Sequence, residues 1–485
     1  MMPRLRPDRV ASTTSRTAAA AEQTSRTVPA SILVVLLTGS FMAAFDFFVV
    51  NVAAPSIQRD LSTGEAELEL VVGGYAFAYA SALVLGGRLG DLFGHRRLFT
   101  TGVIAFTVAS ALCGLALTPP ELIAARLGQG LAAAMMLPQV LAVISAESAG
   151  TGRARAMAWY GVAAGTGSIA GQVLGGLLVT ADVAGLGWRL IFLVNVPVGL
   201  IGAIASLRVL PKRPSNNSGP QAKLDPLGAL GLALGLALLL IPLSVGRTAG
   251  WPLWTWGSMA AALVVLALTM WWQRVLHVRG GQPVIDPALL RARSFRTGLL
   301  SNLAFMLFFG SYMFTLALLL QAGLGLDAFE AGLAFAPAGV TFSVSALLAP
   351  RLVARHGRAV VVCGCLLAAA GLVALAVLVG SGGSDSSVPA IVLIAALISL
   401  GNGLILPSLV GAALRDVRPS HAGAAAGAVT TTQQFASAAG VAAIGTVYFG
   451  ASTSGPGAAM AWTASINAAL VLAVAAAVIH GTRNA

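Results

Sequence analysis

Apolar runs of about 20 residues recur along nearly the whole chain, and this feature limits the possible folds most strongly. A helix needs about 20 apolar residues to cross the hydrocarbon core of a bilayer. Because backbone N–H and C=O groups must be paired within their own segment in hydrocarbon, each run is expected to form a helix. The alternation of polar and apolar residues typical of a membrane β-barrel does not occur. The sequence therefore predicts an all-α polytopic membrane protein.

Composition supports this prediction and argues against a nucleic-acid partner. Charged residues make up 9% of the chain, whereas a soluble globular protein has roughly 25%. The net charge of +12 arises from Lys and Arg in short clusters between apolar runs, which is the pattern that fixes membrane orientation. Cys113, Cys363 and Cys365 lie within apolar runs and form neither a disulfide framework nor a zinc site. No metal and no cofactor is expected.

The basic residues also predict the topology. We count about fourteen apolar runs, an even number, so that both termini lie on one side of the membrane. With a cytosolic N-terminus, the inside segments hold 25 of the 29 Lys and Arg residues. This asymmetry predicts a multi-pass protein of the cytoplasmic membrane with both termini cytosolic. Residues 1–30, rich in Arg, Ser, Thr and Ala, are expected to be a disordered cytosolic tail.

An internal repeat divides the chain into domains. Residues 87–96 follow the second apolar run, and residues 350–359 follow the tenth, with Arg, Leu and Gly at matching positions. A parallel repeat of two six-helix bundles would produce this pattern. We expect a first bundle at 31–210, two inserted helices and a cytosolic linker at 211–297, and a second bundle at 298–480.

Four stretches resemble motifs of the major facilitator superfamily, and within it the fourteen-helix drug:proton antiporters. They are Gly87–Arg97, the run from Asp46 to Asn51–Pro55, Arg126–Gly130 and Trp188–Pro197. Weaker likenesses at 283–295 and 422–445 extend the match over the chain. The resemblance implies a major facilitator fold, alternating access and multidrug efflux coupled to protons.

The Gly87–Arg97 stretch resembles the family's signature after the second helix, and the resemblance implies a conformational latch. The sequence places Asp91 in a tight turn flanked by glycine, where a carboxylate can bind helix-terminal N–H groups and pair with arginine. A plain loop that anchors helix ends is the alternative. The latch residues are Gly87, Arg88, Asp91, Gly94, Arg96 and Arg97.

The fifth apolar run is rich in glycine at spacings of four, which allows close helix packing. The family's antiporter motif in this helix usually reads G-P-x-x-G-G, and here Gln172 takes the place of the proline. The resemblance implies an antiport role, while tight packing alone is the alternative. The residues concerned are Gly167, Gly171, Gln172, Gly175 and Gly176.

Asp46 lies in the middle of the first apolar run, between Phe45 and Phe47. A charged side chain at the bilayer centre costs roughly 2.5–3.5 kcal/mol on insertion scales, so such residues are kept for pairing or function. The other acidic residues fall in tails, loops or predicted helix ends, and no histidine relay is present. We therefore predict that Asp46 carries the proton; a paired aspartate that does not titrate is the alternative.

Arg126 is the predicted partner of Asp46. Arginine keeps its charge, so it can compensate an ionised carboxylate, and the resemblance gives Arg126 a role in proton coupling. An interfacial arginine that snorkels to water is the alternative. Five further polar residues are candidates for the substrate cavity, although each can also face lipid or pack between helices: Tyr75, Tyr79, Gln129, Asn302 and Gln433.

These observations predict a proton-coupled antiporter that exports small amphiphilic drugs or natural products by alternating access. The expected partners are a small-molecule substrate, protons and the lipid bilayer, and the protein is expected to be a monomer. An importer or facilitator of the same fold, or a membrane receptor that does not transport, remains an alternative. The sequence has no P-loop, HExxH or Ser-His-Asp arrangement, so no enzyme activity is expected.

Overall fold

The computed structural model describes residues 27–148, 150–211, 225–246, 249–281, 283–284, 287, 289–382, 387–415, 417 and 422–481. Most of the predicted tail, residues 1–26, lies outside this part, and so does segment 212–224 of the predicted linker. Within the tail segment, residues 27–29 are described and lead directly into the first helix.

Fourteen long helices form the described part of the chain. They are α1 (Ala30–Asp60), α2 (Glu65–Phe93), α3 (His95–Leu115), α4 (Pro119–Glu147), α5 (Gly150–Ala181), α6 (Gly187–Val209), α7 (Pro226–Val245), α8 (Leu253–Val278), α9 (Arg293–Leu318), α10 (Ala328–His356), α11 (Ala359–Gly382), α12 (Val388–Leu414), α13 (Ala422–Ala451) and α14 (Pro456–Gly481). Thirteen are long and apolar enough to cross a membrane, and α2 adds a fourteenth if its two parts, which meet at a 51° bend, count as one span. The predicted all-α polytopic fold is confirmed.

The predicted tight turn around Asp91 is wrong, because α2 continues through this residue to Phe93. Only Gly94 separates α2 from α3, with φ of 93°. A residue with a Cβ disfavours this region, so glycine lets the chain reverse here. Arginine and aspartate can occupy the last turn of a membrane helix, because this turn lies outside the hydrocarbon core. The charged residues of this segment therefore do not interrupt α2. Asp91 therefore lies in the last turn of α2.

Helix boundaries repeat with an offset of 263 residues in the two halves of the chain (30 to 293, 65 to 328, 93 to 356). The turn after α10 repeats the turn after α2, because Gly357 also has a positive φ, of 58°. This correspondence supports the parallel repeat predicted from the sequence.

Two sets of six helices show matching packing. In the first bundle, α1–α6, α1 packs on α5, α2 on α4, and α3 on both α4 and α6. In the second bundle, α9–α14, the equivalent pairs are α9 with α13, α10 with α12, and α11 with α12 and α14. The bundles meet along two seams, which are formed by α2 with α13 and by α5 with α10.

We name the two ends of the molecule after the residues at their turns: the Gly94 end and, opposite, the Asp60 end. Near the Asp60 end, hydrogen bonds join the bundles. The Gln321 amide, in a π-helical extension of α9 at Leu319–Gly323, donates to the Val52 carbonyl at 2.7 Å. The Phe329 N–H donates to the Thr180 hydroxyl at 3.0 Å. These contacts hold the bundles together at this end.

Candidate functional site: a buried ion pair in the first bundle

Asp46 lies on the side of α1 that faces the interior of the first bundle, and none of its surface is exposed. Arg126 of α4 is equally buried, and its guanidinium donates to Asp46 Oδ2 in an ion pair. The predicted pairing of these two residues is thus present in the structure. Arg126 also donates through Nε to the Val71 carbonyl of α2 at 3.2 Å, so it is buried and does not snorkel.

Gln129 completes the arrangement from α4. Residues three apart lie on one helix face, so Gln129 points to the same centre as Arg126. Its amide oxygen accepts from Arg126 at 2.9 Å, and its amide nitrogen donates to Asp46 Oδ1 at 2.8 Å. Since the arginine fixes the orientation of the amide, Gln129 is held as a donor to the carboxylate.

Two residues without a predicted role, Asn195 and Ser110, join the site. The Asn195 amide of α6 donates to Asp46 Oδ1 at 3.2 Å, and the Ser110 hydroxyl of α3 accepts from Gln129 at 2.8 Å. All three side chains that bond Asp46 are donors, which suits an ionised carboxylate. In the sequence, the feature that points to Asn195 is the Trp188–Pro197 motif, which contains it.

Aromatic rings surround the arginine. The Arg126 guanidinium carbon lies 4.9 Å from the ring centre of Tyr75 and 5.7 Å from that of Phe192. Such cation–π contacts stabilise a desolvated cation by about 2 kcal/mol. Arg126 is therefore held in place by the aromatic faces as well as by Asp46.

Glycines of α5 lie against the segment of α1 that carries Asp46. Gly167, Gly171 and Gly175 lie one turn apart, and a Cβ at any of them would contact α1 between Phe41 and Val49. The absence of side chains allows the two helices to approach closely around Asp46. The prediction of tight packing at these positions agrees with this contact, whereas their antiport role remains a prediction.

Gly176 and Gln172 face the second bundle instead. A Cβ at Gly176 would meet the Ala328 carbonyl of α10. The Gln172 amide, which replaces the family's proline, lies 3.6 Å from the sulfur of Met313 on α9. One face of α5 thus contacts the first bundle through Gly167, Gly171 and Gly175. Another face contacts the second bundle through Gly176 and Gln172.

The signature segment forms a hydrogen-bonded cluster at the Gly94 end. Asp91 Oδ1 lies 3.7 Å from Nε2 of His95 on α3. His95 Nδ1 lies 2.8 Å from the Gln139 amide oxygen, and Gln139 donates to the Gly86 carbonyl at 2.9 Å. His95 and Gln139, which have no predicted role, therefore connect α2, α3 and α4.

The arginines of this segment make separate contacts. Arg88 donates to the Pro283 carbonyl at 3.2 Å, which links α2 to the segment after α8. Arg96 donates to the Leu207 carbonyl of α6, and Arg97 is exposed. Gly87 faces Pro138 of α4. The assignment of these residues to a conformational latch remains a prediction.

A recess lies between the bundles and is a candidate for substrate binding. Its lining is mostly apolar, with Asn51 and Ser437 as polar exceptions, and it contains Phe47, Phe48, Val72, Gly73, Ala76, Phe309, Gly310, Met313, Ala438 and Val441. Ligand sites commonly combine apolar walls with few polar groups.

The five predicted cavity residues lie elsewhere in this conformation. Tyr75 and Tyr79 are buried in the first bundle with ring centres 6.3 Å apart, and Gln129 belongs to the Asp46 site. Gln433 of α13 donates to the amide oxygen of buried Asn302 on α9 at 2.8 Å. The structure brings these residues together in three separate places, and their contact with substrate remains a prediction.

Glu69 is a buried carboxyl that sequence reasoning assigned to a helix end. It lies in the second turn of α2 but is only 3% exposed. A Cβ at Gly445 of α13 would contact its Oε1. Glu69 is therefore another buried carboxyl besides Asp46, and it lies at the seam between the bundles. The sequence does not reveal that Glu69 is buried, because this residue lies close to the start of a predicted helix.

A two-bundle helical fold with an ion pair inside one bundle and a recess between the bundles defines a membrane transport protein. The profile of the Major Facilitator Superfamily matches residues 36–441. The chain belongs to this family, whose members are membrane transporters and not enzymes.

Curated relatives match most of the chain. It is 36% identical over 421 residues to the "Probable actinorhodin transporter" of Streptomyces coelicolor, covering 86% of this chain and 72% of the relative. It is 36% identical over 461 residues to the "Cephamycin export protein CmcT" of Amycolatopsis lactamdurans, covering 93% and 91%. It is 34% identical over 427 residues to the "Puromycin resistance protein pur8" of Streptomyces alboniger, covering 87% and 82%. These similarities are those of a drug-efflux family within the superfamily.

Solved structures agree on the fold. A bacterial homologue of the human lysosomal transporter Spinster, inward-facing and unoccupied, superposes with a TM-score of 0.67 at 15% identity, covering 93% of this chain and 96% of that one. A D-xylose–proton symporter gives 0.64 at 15% identity, covering 92% and 96%. At this identity the likeness concerns the fold alone.

Proposed function

We propose that the protein exports small amphiphilic drugs or natural products across the cytoplasmic membrane in exchange for protons. It works by alternating access as a monomer, with both termini in the cytosol. The Gly94 end is then cytosolic and the Asp60 end external. The basic residues support this orientation, since 25 of 29 fall in segments on the side of the termini.

The names of the relatives support export as the direction. One is described as a transporter of actinorhodin, one as a cephamycin export protein and one as a puromycin resistance protein. The mostly apolar recess suits compounds with apolar bodies and few polar groups.

The observation that carries proton coupling is the ion pair of Asp46 with Arg126. A proton on Asp46 removes the charge that Arg126 compensates, so protonation and release of the arginine are coupled. The donors Gln129 and Asn195 hold the ionised carboxylate in the present arrangement. Because Asp46 has no exposed surface, the proton must arrive when the first bundle changes its contacts.

The contacts at the Asp60 end suggest the order of events. With this end closed by Gln321 and Thr180, substrate binds from the cytosolic side while Asp46 is ionised. Opening of the Asp60 end then gives Asp46 access to external protons. Protonation displaces Arg126, the substrate leaves, and the carrier returns with its proton.

One proton per cycle sets the expected driving force. Moving one charge through 100 mV provides about 2.3 kcal/mol. This free energy corresponds to roughly a fortyfold concentration ratio of a neutral substrate.

The test uses Asp46→Asn with Asp60→Asn as the matched control. Asp60 lies on the same helix, but it is partly exposed and pairs with Arg189 at 2.6 Å. In oriented proteoliposomes with an imposed proton gradient, we expect Asp46→Asn to abolish uphill export of Hoechst 33342 while allowing exchange between equal pools. Asp60→Asn should export normally.

Three outcomes would contradict the proposal. Uphill export by Asp46→Asn with normal pH dependence would remove Asp46 from coupling. Proton-driven accumulation in the opposite direction would indicate an importer. Dye binding without any flux across the sealed bilayer would indicate a receptor.

A further inference from the structure

Glu69 shares a face of α2 with residues that line the recess. Val72, Gly73 and Ala76 line it from this helix, and residues three or four apart lie on one helix face. Glu69 precedes Gly73 by one turn, which spans about 5.4 Å, and it lies on the side of the Asp60 end. The carboxyl of Glu69 is therefore placed one turn beyond the lining of the recess.

Two further helices extend their recess-lining faces to the same level. On α13, Gly445 lies one turn beyond Val441, and on α9, Phe314 lies one turn beyond Gly310. Both Val441 and Gly310 line the recess. A Cβ at Gly445 would be 2.8 Å from Glu69 Oε1 and 3.3 Å from the ring of Phe314. Glu69, Gly445 and Phe314 thus meet, and we call them the floor of the recess.

The floor stands at the closed end of the recess. Because Gly445 has no side chain, α13 leaves room for the Glu69 carboxyl. On α1, Asn51 lines the recess, and the next residue, Val52, accepts the hydrogen bond from Gln321 that joins the bundles. A molecule that enters from the Gly94 end therefore meets the floor, and with it the Glu69 carboxyl, before it meets the Asp60 end.

The charge of Glu69 complements a recess whose described lining residues include no charged side chain. The carboxyl of Asp46 is directed into the first bundle, where Arg126 compensates it. Phe48 and Phe309 line the recess with ring centres 6.2 Å apart. Aromatic faces attract cations, and a carboxylate forms strong hydrogen bonds with cationic donors. Walls and floor together therefore suit a cation with an apolar body.

We propose that Glu69 binds the cationic head group of the substrate at the floor of the recess, while the aromatic walls hold its apolar ring system. This inference rests on the proposed export function and narrows the substrate class to amphiphilic cations. Glu69 is then a specificity-determining residue, and Asp46 carries the proton. The two buried carboxyls thus divide recognition and coupling between them.

The test compares ethidium, a permanent cation, with Nile red, an uncharged dye. Transport is measured in everted vesicles energised by a pH gradient, because exchange of one proton for one monovalent cation moves no net charge. Glu69→Gln removes the charge and keeps the shape. Glu67→Gln is the matched control on the same helix, since its amide oxygen can still accept from the Gly64 N–H, as Glu67 does at 3.0 Å.

We expect Glu69→Gln to raise KM for ethidium roughly tenfold or more, with little change in kcat and no change in KM for Nile red. Glu67→Gln should stay within about twofold of the wild type for both dyes. Glu69→Asp keeps the charge, so its KM for ethidium should lie within about threefold of the wild type.

Unchanged KM for ethidium in Glu69→Gln would overturn the proposal and leave the export function intact. An equal rise in KM for both dyes, or a Glu69→Asp protein as impaired as Glu69→Gln, would overturn it too, because either result indicates a structural role. A wild type that exports Nile red but not ethidium would exclude the cationic class. A wild type that exports neither dye would contradict the proposed function itself.

Discussion

Removing one member of the Asp46–Arg126 pair should destabilise the first bundle strongly, because the other charge would stay buried without its partner. Neither side chain has exposed surface, and Asp46 accepts three side-chain hydrogen bonds. Loss of one partner of a buried ion pair costs about 3–5 kcal/mol. We expect Asp46→Leu and Arg126→Leu each to lower the free energy of unfolding by this amount.

The double variant should be about as stable as either single variant. With both charges absent, the remaining cost comes from amides such as Gln129 that lose a partner, about 1–3 kcal/mol each. The expected coupling free energy between the two positions therefore equals the loss in one single variant, about 3–5 kcal/mol. Unfolding of the purified protein in mixed micelles, followed by tryptophan fluorescence, gives the four free energies that the cycle requires.

Asp60 and Arg189 supply a control cycle in the same protein. Their contact of 2.6 Å is short, but both side chains are partly exposed, and exposed pairs contribute about 0.2–1 kcal/mol. Additive losses at Asp46 and Arg126, with a coupling no larger than that of the control, would refute the reasoning. The two buried charges would then not stabilise each other.

Three further predictions follow from local geometry. Gly94→Ala should lower the free energy of unfolding by about 1–2 kcal/mol, because φ is 93° there; thermal unfolding measures this, and an unchanged Tm would contradict it. Gly171→Val should reduce the folded yield in detergent chromatography, because its Cβ would meet the backbone of α1, whereas Gly257→Val has open space; equal yields would contradict the close helix approach. Asn195→Leu should cost about 1.5–3 kcal/mol by losing a hydrogen bond to the Asp46 carboxylate; a denaturant titration without a shift would show that the amide is dispensable.

The helices and the central ion pair could be predicted from the sequence because bilayer physics leaves few choices. A run of about 20 apolar residues must form a helix, and a carboxyl such as Asp46 within it demands compensation. Arg126 is the predicted partner because arginine keeps its charge and because the Arg126–Gly130 stretch resembles a motif of the family. The position of Asp46 follows from residue types along the chain, whereas the role of Arg126 in proton coupling also needs the resemblance.

Other features depend on which helices become neighbours, and a single sequence does not show this. Asn195 is one of several polar residues in apolar segments, and only the packing of α6 beside α1 brings it to Asp46. Tyr75 was predicted in the cavity because its helix carries two tyrosines on one face. The packing of α2 on α4 directs that face into the bundle interior.

The Asp46 site has a mechanical consequence, because the hydrogen bonds among its side chains connect four helices. Asp46 on α1, Ser110 on α3, Arg126 on α4 and Asn195 on α6 form one hydrogen-bonded group. While these bonds persist, the four helices must travel together as a rigid body. Spin labels on any of them should then record the same displacement relative to the second bundle during a transport cycle. A difference among the displacements of the labels would indicate when protonation of Asp46 breaks these hydrogen bonds.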